Sequence, residues 1–308
     1  MPCLGIQERQ VAMSELPHTV PAIVTPFTKD GLELDPEWMP QHLAYLEKRG
    51  ADGVLALGTN GEGPSLSQEE RKRVIDTVMR ARGALGVFVG TGCSSLSDTI
   101  AISRYALEAG ADAAMVVPPF YFKELAPQGL IAYYDAVFRA LPREGKVILY
   151  NIPSHSGVEI IDALVDALAE RHPEQLLGIK DTSGNLEKTR HYIQRYPRLA
   201  IYNGSDGNTA EAYRSGAAGS ISATANVFPD LMAAVRKAHL EGGDVDAAQS
   251  KVSGVRDLIA RNPFPAAVKY LLHVVAGLPL THVRPPLVDL TPEQAAAVQR
   301  EVREMGLN

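Results

Sequence analysis

The sequence predicts an α/β fold, a (β/α)8 TIM barrel followed by a C-terminal helical extension. Short apolar runs alternate with longer amphipathic runs over about 240 residues, which is typical of parallel α/β architectures. Eight such units recur every 25–35 residues or so, a spacing that favours a closed barrel. An open, doubly wound sheet is the competing architecture. It is disfavoured because no G-x-G-x-x-G motif follows the first apolar run.

The predicted strands are short runs of β-branched and other apolar residues. Such runs fill a parallel sheet that is covered on both faces. In chain order they are residues 20–25, 53–57, 87–90, 113–117, 147–150, 176–179, 200–202 and 219–222.

The predicted helices lie between these strands, and several carry end signals. Residues 36–49 form the first, with Asp35 as N-cap and proline at the first helical position. Residues 67–82 begin with Ser-Gln-Glu-Glu, which fits a capping box closed by Glu70. Residues 96–109 end at Gly110, the residue type usual just after a helix. The other barrel helices are predicted at 128–141, 160–169, 186–196, 209–215 and 229–241.

Further helical patterns follow the eighth unit, at residues 244–260, 265–276 and 292–304. They predict an appended helical subdomain. We therefore expect an N-terminal extension over 1–16, the barrel over 17–241 and a C-terminal helical subdomain over 242–308.

Composition excludes several function classes. The formal net charge is −6 and no Lys/Arg block stands out, so no nucleic-acid partner is expected. The two cysteines, Cys3 and Cys93, predict no disulfide, and a cytoplasmic location is expected. No membrane association is expected either, because no secretory signal is visible and the apolar stretch 270–283 is short and interrupted. The histidines show neither HxH nor HxxxH spacing, so neither a metal nor another cofactor is predicted.

Lys180 is the first candidate for chemistry, because catalytic groups of such barrels lie at the C-terminal ends of strands. It follows a buried apolar run, where an ammonium is costly. One interpretation is a lysine that reaches the rim and pairs with a carboxylate such as Asp181. The other is an amine that burial deprotonates, so that it attacks a ketone and forms a Schiff base.

Hydroxyl groups near the same rim favour the second interpretation. Tyr150 ends the strand next to that of Lys180, where a phenol can relay the protons that Schiff-base chemistry moves. Thr59 lies in a glycine-flanked loop and can donate and accept at once, although it is also an ordinary turn residue. Tyr121 follows a Pro-Pro pair, where a lone tyrosine is otherwise a surface aromatic. The loop that contains Gly58 exposes N–H groups suited to a small carboxylate.

Five motifs occur in order: GTNGEGPSLSQEER (58–71), PPFYF (118–122), YNIPSHSG (150–157), GIKDTSGN (178–185) and NGSD (203–206). With these the chain resembles the dihydrodipicolinate synthase / N-acetylneuraminate lyase superfamily of class I, pyruvate-handling aldolases. The resemblance covers roughly residues 18–290. It implies a barrel with C-terminal helices and a homotetramer built as a dimer of tight dimers.

The resemblance also implies catalytic roles. Lys180 matches the lysine that captures pyruvate or another 2-oxo acid as a Schiff base, and Tyr150 matches the proton-transfer tyrosine. Thr59 matches the hydroxyl that links two tyrosines. The second of these is Tyr121, which reaches across the tight dimer into the neighbouring site.

Binding roles follow in the same way. Gly58, Thr59 and Asn60 occupy the loop that holds the pyruvate carboxylate, and Ser222 lies on the pyruvate methyl side. The glycine-rich segment with Ser205 suggests a phosphate cradle by its composition, and by the resemblance it lines the polyol side. Glu62 is interpreted as a carboxylate that stabilises its loop.

Two positions depart from the pattern of the synthases. Asn60 stands where they usually carry Thr and is more similar to 4-hydroxy-2-oxoglutarate aldolases and some deoxy-sugar-acid aldolases. His155 stands where they carry an arginine that grips a carboxylate of aspartate semialdehyde with a planar, permanently charged fork. A histidine offers at most two donors and is often neutral at pH 7. His155 can also be read simply as a rim histidine that faces solvent.

The function implied is a class I lyase that cleaves a 2-keto-3-deoxy sugar acid or 4-hydroxy-2-oxoglutarate to pyruvate and an aldehyde. The alternative is 4-hydroxy-tetrahydrodipicolinate (dihydrodipicolinate) synthase, which condenses pyruvate with aspartate semialdehyde. A dehydratase of keto-deoxy sugar acids and a non-catalytic sensor of 2-oxo acids also stay open. The sequence does not identify the aldehyde partner, because the loops that contact it vary within one fold. It also does not indicate the physiological direction or any allosteric effector.

Overall fold

Eight parallel strands form one sheet in a computed structural model that describes residues 16–307. The strands are β1 (Thr19–Pro21), β2 (Gly53–Ala56), β3 (Gly86–Gly90), β4 (Ala113–Val116), β5 (Val147–Asn151), β6 (Leu176–Asp181), β7 (Ala200–Asn203) and β8 (Gly219–Ser222). Their order is β1-β8-β7-β6-β5-β4-β3-β2. A parallel bridge between Ala22 and Leu55 joins the two ends, and the Ile23 N–H donates to the Leu55 carbonyl at 2.9 Å. The predicted (β/α)8 TIM barrel is confirmed.

Helices follow the strands around the outside of the barrel. They are α1 (Met39–Lys48), α2 (Gln68–Ala81), α3 (Leu96–Glu108), α4 (Pro127–Ala140), α5 (Pro153–Ser156), α6 (Asp162–Arg171), α7 (Leu186–Arg195), α8 (Thr209–Arg214) and α9 (Pro229–Glu241). Single 3-10 turns at Gly63–Ser65, Asp206–Asn208 and Thr224–Asn226 follow β2, β7 and β8. The C-terminal helices are α10 (Val245–Ala260), α11 (Ala266–Ala276) and α12 (Pro292–Glu304).

Two of the three helix ends predicted from local sequence signals are present in the structure. The capping box of α2 is present, with the Ser67 hydroxyl accepting from the Glu70 N–H at 3.2 Å and the Glu70 carboxylate accepting from the Ser67 N–H at 2.8 Å. Gly110 ends α3 in the left-handed region, at φ +95°. Both predictions are confirmed.

The predicted start of the first helix is wrong. Residues 36–38 form turns, and α1 begins at Met39 with no side-chain cap. Trp38 explains the difference, because its ring is buried and its Nε1 donates to the Pro279 carbonyl at 2.7 Å. This long-range contact places the segment before α1, and the Asp35 carbonyl accepts from the Trp38 N–H at 3.3 Å instead of starting a helix.

The N-terminal end of the barrel is filled and its C-terminal end is open. A Cβ added to Gly53 or Gly86 would lie 2.5 or 2.6 Å from the Pro17 side chain, so the proline fits only against glycine there. Phe88 and Tyr202 pack edge to face above it, with ring centroids 5.6 Å apart. The polar ends of the strands therefore surround the open mouth.

The C-terminal helices pack against the barrel side that carries β1 and α9. Trp38, Phe228, Val255 and Leu271 belong to one buried apolar cluster there. The division at residues 241 and 242 stays a prediction. The predicted N-terminal extension lies, apart from residue 16, outside the described residues.

Candidate active site

Lys180 is the penultimate residue of β6, and its side chain is only 4% exposed. Its register partners are Tyr150 on β5 and Tyr202 on β7. Paired residues of parallel strands point to the same face of a sheet. The Lys180 Nζ accordingly lies 4.3 Å from the centroid of the Tyr150 ring.

Asp181 faces the opposite side of the strand, as the alternation of strand side chains requires. Its carboxylate accepts from Asn151 Nδ2 at 2.8 Å and from Thr189 Oγ1 at 2.7 Å. It also accepts from the N–H and the hydroxyl of Ser183, both at 3.1 Å. The Asp181 carboxylate is thus saturated elsewhere and forms no ion pair with Lys180.

The two hydroxyl groups singled out in the sequence meet. Thr59 Oγ1 lies 3.2 Å from the Tyr150 OH, at hydrogen-bonding distance. Tyr150 is buried and Thr59 half-buried. Tyr150 therefore contacts both other groups in the barrel mouth, the threonine hydroxyl through its OH and the Lys180 amine through its ring.

The loop after β2 needs its glycines. A Cβ on Gly61 would lie 2.9 Å from the Ile23 carbonyl oxygen, and one on Gly63 would overlap the Leu57 carbonyl. Arg71, buried on α2, donates to the Gly63 carbonyl at 2.7 Å and to Cys93 Sγ at 3.2 Å. Burial raises the pKa of the Cys93 thiol, so this cysteine is a packing residue.

Asn60 and Ser222, predicted to bind substrate, are both buried. The Asn60 Nδ2 has no hydrogen-bond partner among the described residues, which leaves a buried donor in the predicted carboxylate loop. Ser222 Oγ accepts from the Ala225 N–H at 3.0 Å. Ser205 is half-buried and its N–H donates to Asn203 Oδ1 at 3.2 Å, in the turn after β7.

A cavity of about 250 Å³ opens beside Tyr150. Gly58, Thr59, Tyr150 and His155 line it, and most of the remaining wall is apolar. The apolar side chains are Leu57, Pro64, Met115, Val117, Phe120 and Ile152. Lys180 does not line this cavity. Its amine lies over the ring of Tyr150, and Tyr150 does line the cavity. Tyr150 therefore contacts both the cavity and the amine.

Tyr121 and His155 lie at the outer edge of the site. Tyr121 is 75% exposed and packs edge to face on Phe122 at a centroid distance of 5.3 Å. It does not line the cavity of its own chain. His155 is exposed, lines the cavity, and has its Nδ1 3.1 Å from Ser154 Oγ.

Within residues 16–307, no group of three or more His, Cys, Asp and Glu side chains is arranged to hold a metal ion. In the same part of the chain no helix has the length and apolar character needed to cross a membrane.

The sequence profile of the dihydrodipicolinate synthetase family matches residues 15–305. The chain belongs to this family. A DapA-like lyase of Chloroflexus aurantiacus, described as uncharacterized, is 45% identical over 93% of this chain and 96% of its own length. The 4-hydroxy-tetrahydrodipicolinate synthase of Methanosarcina mazei is 32% identical over 94% of this chain and 98% of its own.

Solved structures of dihydrodipicolinate synthetase family relatives have the same fold. A prophage protein of E. coli K12 from the dihydrodipicolinic acid synthase family, YagE, was solved with pyruvate and superposes with a TM-score of 0.89. It is 28% identical, covering 96% of this chain and 100% of its own. A catalytic lysine mutant of Ruminococcus gnavus sialic acid aldolase has a TM-score of 0.85 at 26% identity, covering 93% of this chain and 95% of its own. This family member is accordingly a class I aldolase or lyase.

Three further residues belong to the rim of this dihydrodipicolinate synthetase family site. Lys123 Nζ donates to the Phe120 carbonyl at 2.5 Å and to the Ser156 carbonyl at 2.7 Å, which ties two sides of the cavity together. Asp206 is buried, and one carboxylate oxygen accepts from the Thr224 N–H at 2.9 Å. The other Asp206 oxygen and the Thr224 hydroxyl have no partner in the described part of the chain. Asp206 had a sequence signal in the NGSD motif and Thr224 in its place just after the eighth predicted strand, whereas Lys123 had none.

Proposed function

We propose that this chain is a Schiff-base lyase that cleaves a 2-keto-3-deoxy sugar acid or 4-hydroxy-2-oxoglutarate to pyruvate and an aldehyde. The observation that carries the proposal is the contact of the Lys180 amine with Tyr150, whose phenol meets Thr59 at 3.2 Å. The saturated Asp181 carboxylate supports it, because the Lys180 amine is not held in an ion pair with Asp181.

The reaction begins when the neutral Lys180 amine attacks the C2 carbonyl of the substrate. The carbinolamine loses water and leaves an iminium, which accepts the electron pair of the breaking C3–C4 bond. Tyr150, connected to Thr59, takes the proton of the C4 hydroxyl as the aldehyde forms. The resulting enamine is protonated at C3, and hydrolysis of the iminium releases pyruvate and returns the free amine.

The loop after β2 is the proposed seat of the substrate carboxylate. The N–H groups of Gly58, Thr59 and Asn60 supply donors, and the unpartnered Asn60 Nδ2 supports the assignment because a buried donor needs an acceptor. Ser222 is proposed to line the methyl side of bound pyruvate. No cofactor is required by these steps.

Polar groups beyond the amine favour a hydroxylated substrate. The unpartnered Asp206 oxygen lies after β7, in the segment with Ser205 that was assigned to the polyol side, and the unpartnered Thr224 hydroxyl lies after β8. His155 supplies no permanent charge for the second carboxylate that aspartate semialdehyde would bring. The sugar-acid reading is therefore the stronger one.

The synthase is the second candidate, because relatives of that name are about one-third identical over nearly the full chain, as in Methanosarcina mazei at 32% over 94%. A dehydratase and a non-catalytic 2-oxo acid sensor stay as further alternatives. We also propose a cytoplasmic homotetramer in which Tyr121, 75% exposed in the single chain, completes the neighbouring site.

The decisive experiment is a screen of keto-deoxy acids for pyruvate release, run beside a coupled assay with pyruvate and aspartate semialdehyde. We expect release from at least one 2-keto-3-deoxy sugar acid or from 4-hydroxy-2-oxoglutarate. Vigorous turnover of aspartate semialdehyde would assign the synthase reaction instead. Loss of water without pyruvate release would assign a dehydratase, and pyruvate binding without any turnover would assign a sensor.

A further inference from the structure

Two non-glycine residues of the loop after β2 have left-handed backbone conformations. Leu57 has φ +58° and Glu62 has φ +51°. Such conformations are unfavourable for residues with a Cβ and persist only where the surroundings enforce them. The residues between them, Gly58 to Gly61, include the predicted carboxylate seat and Thr59. Something must therefore hold this loop in shape.

The C-terminal part of the chain holds it through the Glu62 carboxylate. Its Oε1 accepts from Lys269 Nζ at 2.5 Å, and its Oε2 accepts from the Arg284 N–H at 2.9 Å. The side chains of Glu62 and Lys269 are each only 1% exposed. Lys269 lies on α11 and also donates to the His282 carbonyl at 2.5 Å. The interpretation of Glu62 as a loop-stabilising carboxylate is confirmed.

A short path leads from this ion pair to the reacting groups. The Glu62 N–H donates to the Thr59 carbonyl at 3.1 Å, and the Gly63 N–H donates to the Gly58 carbonyl at 3.2 Å. The Thr59 hydroxyl is the one that meets Tyr150. A shift of Glu62 would therefore move the backbone of Thr59 and, with it, the Thr59 hydroxyl.

A second cation beside Glu62, the Arg284 guanidinium, is engaged elsewhere. Arg284 lies beside Glu62, but its guanidinium is committed to Glu70, at 2.7 and 2.9 Å, and to the carbonyls of Ser65 and Leu32 at 3.0 and 2.6 Å. Removing one member of a buried pair leaves the other charge uncompensated. The Glu62–Lys269 ion pair therefore joins the loop to α11, and the Arg284 N–H adds a second bond to the same carboxylate.

We propose that Glu62 and Lys269 are positioning residues, through which helix α11 sets the Thr59 hydroxyl and the carboxylate-binding N–H groups for proton transfer. This inference rests on the proposed function of Thr59 and Tyr150. The C-terminal helices would then have a role in the chemistry, although they are far along the chain from the barrel motifs.

The test measures exchange of the pyruvate methyl protons for deuterium by proton NMR, since this reports enamine formation with pyruvate as the only probe. The variants are Lys269→Met, Glu62→Gln and the double variant, which carries no buried charge at this site. Leu272→Ala is the matched control, because Leu272 is buried on the same helix in a separate apolar cluster. Thermal melting and borohydride trapping at Lys180 accompany each measurement.

We expect the double variant to melt closer to the wild type than Lys269→Met does, because neither partner is left as an unpaired charge. Its exchange rate should still be about ten-fold or more below the wild type, since small misplacements of catalytic groups cost factors of this size. Leu272→Ala should lose stability but keep its exchange rate per folded molecule.

A double variant that exchanges at the wild-type rate would overturn the positioning role. So would a Leu272→Ala variant that loses exchange as strongly as the double variant at equal stability. A wild-type protein that shows neither exchange nor trapping at Lys180 would instead overturn the proposed function itself, so the two failures are distinguishable.

Discussion

Lys180 has two interpretations from the sequence, an ion-paired lysine or a nucleophile. A lysine at the end of a buried strand suits an ion pair as well as a nucleophile, and the sequence left both open. The structure excludes an ion pair with Asp181, because the Asp181 carboxylate accepts hydrogen bonds from Asn151, Ser183 and Thr189. The amine lies instead over the ring of Tyr150, and that residue lines the cavity.

The first prediction concerns this amine. Lys180→Met should abolish borohydride trapping of pyruvate and lower turnover by about 10³-fold or more, because no other group forms the iminium. Its melting temperature should equal or exceed that of the wild type, since a buried polar amine is replaced by an apolar chain of similar length. Intact mass after trapping measures the adduct, and an adduct retained by this variant would contradict the assignment.

The second prediction concerns the phenol. Tyr150→Phe keeps the ring under the amine but removes the OH that meets Thr59, so trapping should persist while turnover falls by about 10²–10⁴-fold. Tyr202→Phe is the control, because Tyr202 is the other register partner of Lys180, yet its OH donates to the Pro17 carbonyl at 3.0 Å. Equal loss of turnover in both variants would argue against a proton relay.

At the scale of elements, local rules predicted most of the barrel and failed where distant contacts act. The helix Pro229–Glu241 has the predicted bounds, and the capping box of α2 is present. The cap assigned to Asp35 is absent because Trp38 is fixed by Pro279, far along the chain. Lys123 gave no signal at all, since its acceptor Ser156 lies 33 residues away and belongs to another loop.

The third prediction concerns that lysine. Lys123→Met should loosen the loop that carries Tyr121 from the helical turn that carries His155, because both backbone acceptors of the ammonium lose their donor. We expect kcat/KM to fall by roughly three- to ten-fold, with a change in melting temperature of only about 1–2 °C because the side chain is largely exposed. Lys72→Met removes a half-buried lysine paired with Glu69 and is the control, for which we expect wild-type kinetics.

At the scale of the whole molecule, His42 links α1 to the end of the barrel. It is buried, its Nε2 donates to the Asn226 carbonyl at 3.1 Å, and burial lowers its pKa to about 4. The unfolded chain binds a proton at this residue near pH 6.5, whereas the folded chain does not. Stability from this residue is therefore present above pH 6.5 and lost as the pH falls towards 4.

The fourth prediction concerns the pH dependence of stability at His42. Between pH 7 and pH 5 the free energy of unfolding should drop by about 2 kcal/mol more in the wild type than in His42→Gln, which cannot take up the proton. Urea unfolding at the two pH values measures the difference. Equal drops in the two proteins would show that His42 does not titrate in this way.

The fifth prediction tests whether two chains share a site. Mixing Tyr121→Phe with Lys180→Met, after mild dissociation and reassembly, should restore up to about a quarter of wild-type activity, because half of the subunit pairs then contain one intact site. Neither variant alone should recover. Mixtures that stay inactive would mean that Tyr121 acts within its own chain or not at all.

The sealed N-terminal end of the barrel has a consequence for the order of events. Pro17 lies against Gly53 and Gly86 with no space for even a methyl group, so within residues 16–307 the opposite mouth is the open end of the barrel. In the proposed mechanism pyruvate is covalently attached to Lys180 when the aldehyde forms, so it stays behind the fragment that occupies the outer cavity. The aldehyde should leave first and pyruvate last, which product-inhibition patterns would reveal as a fixed sequence of departure.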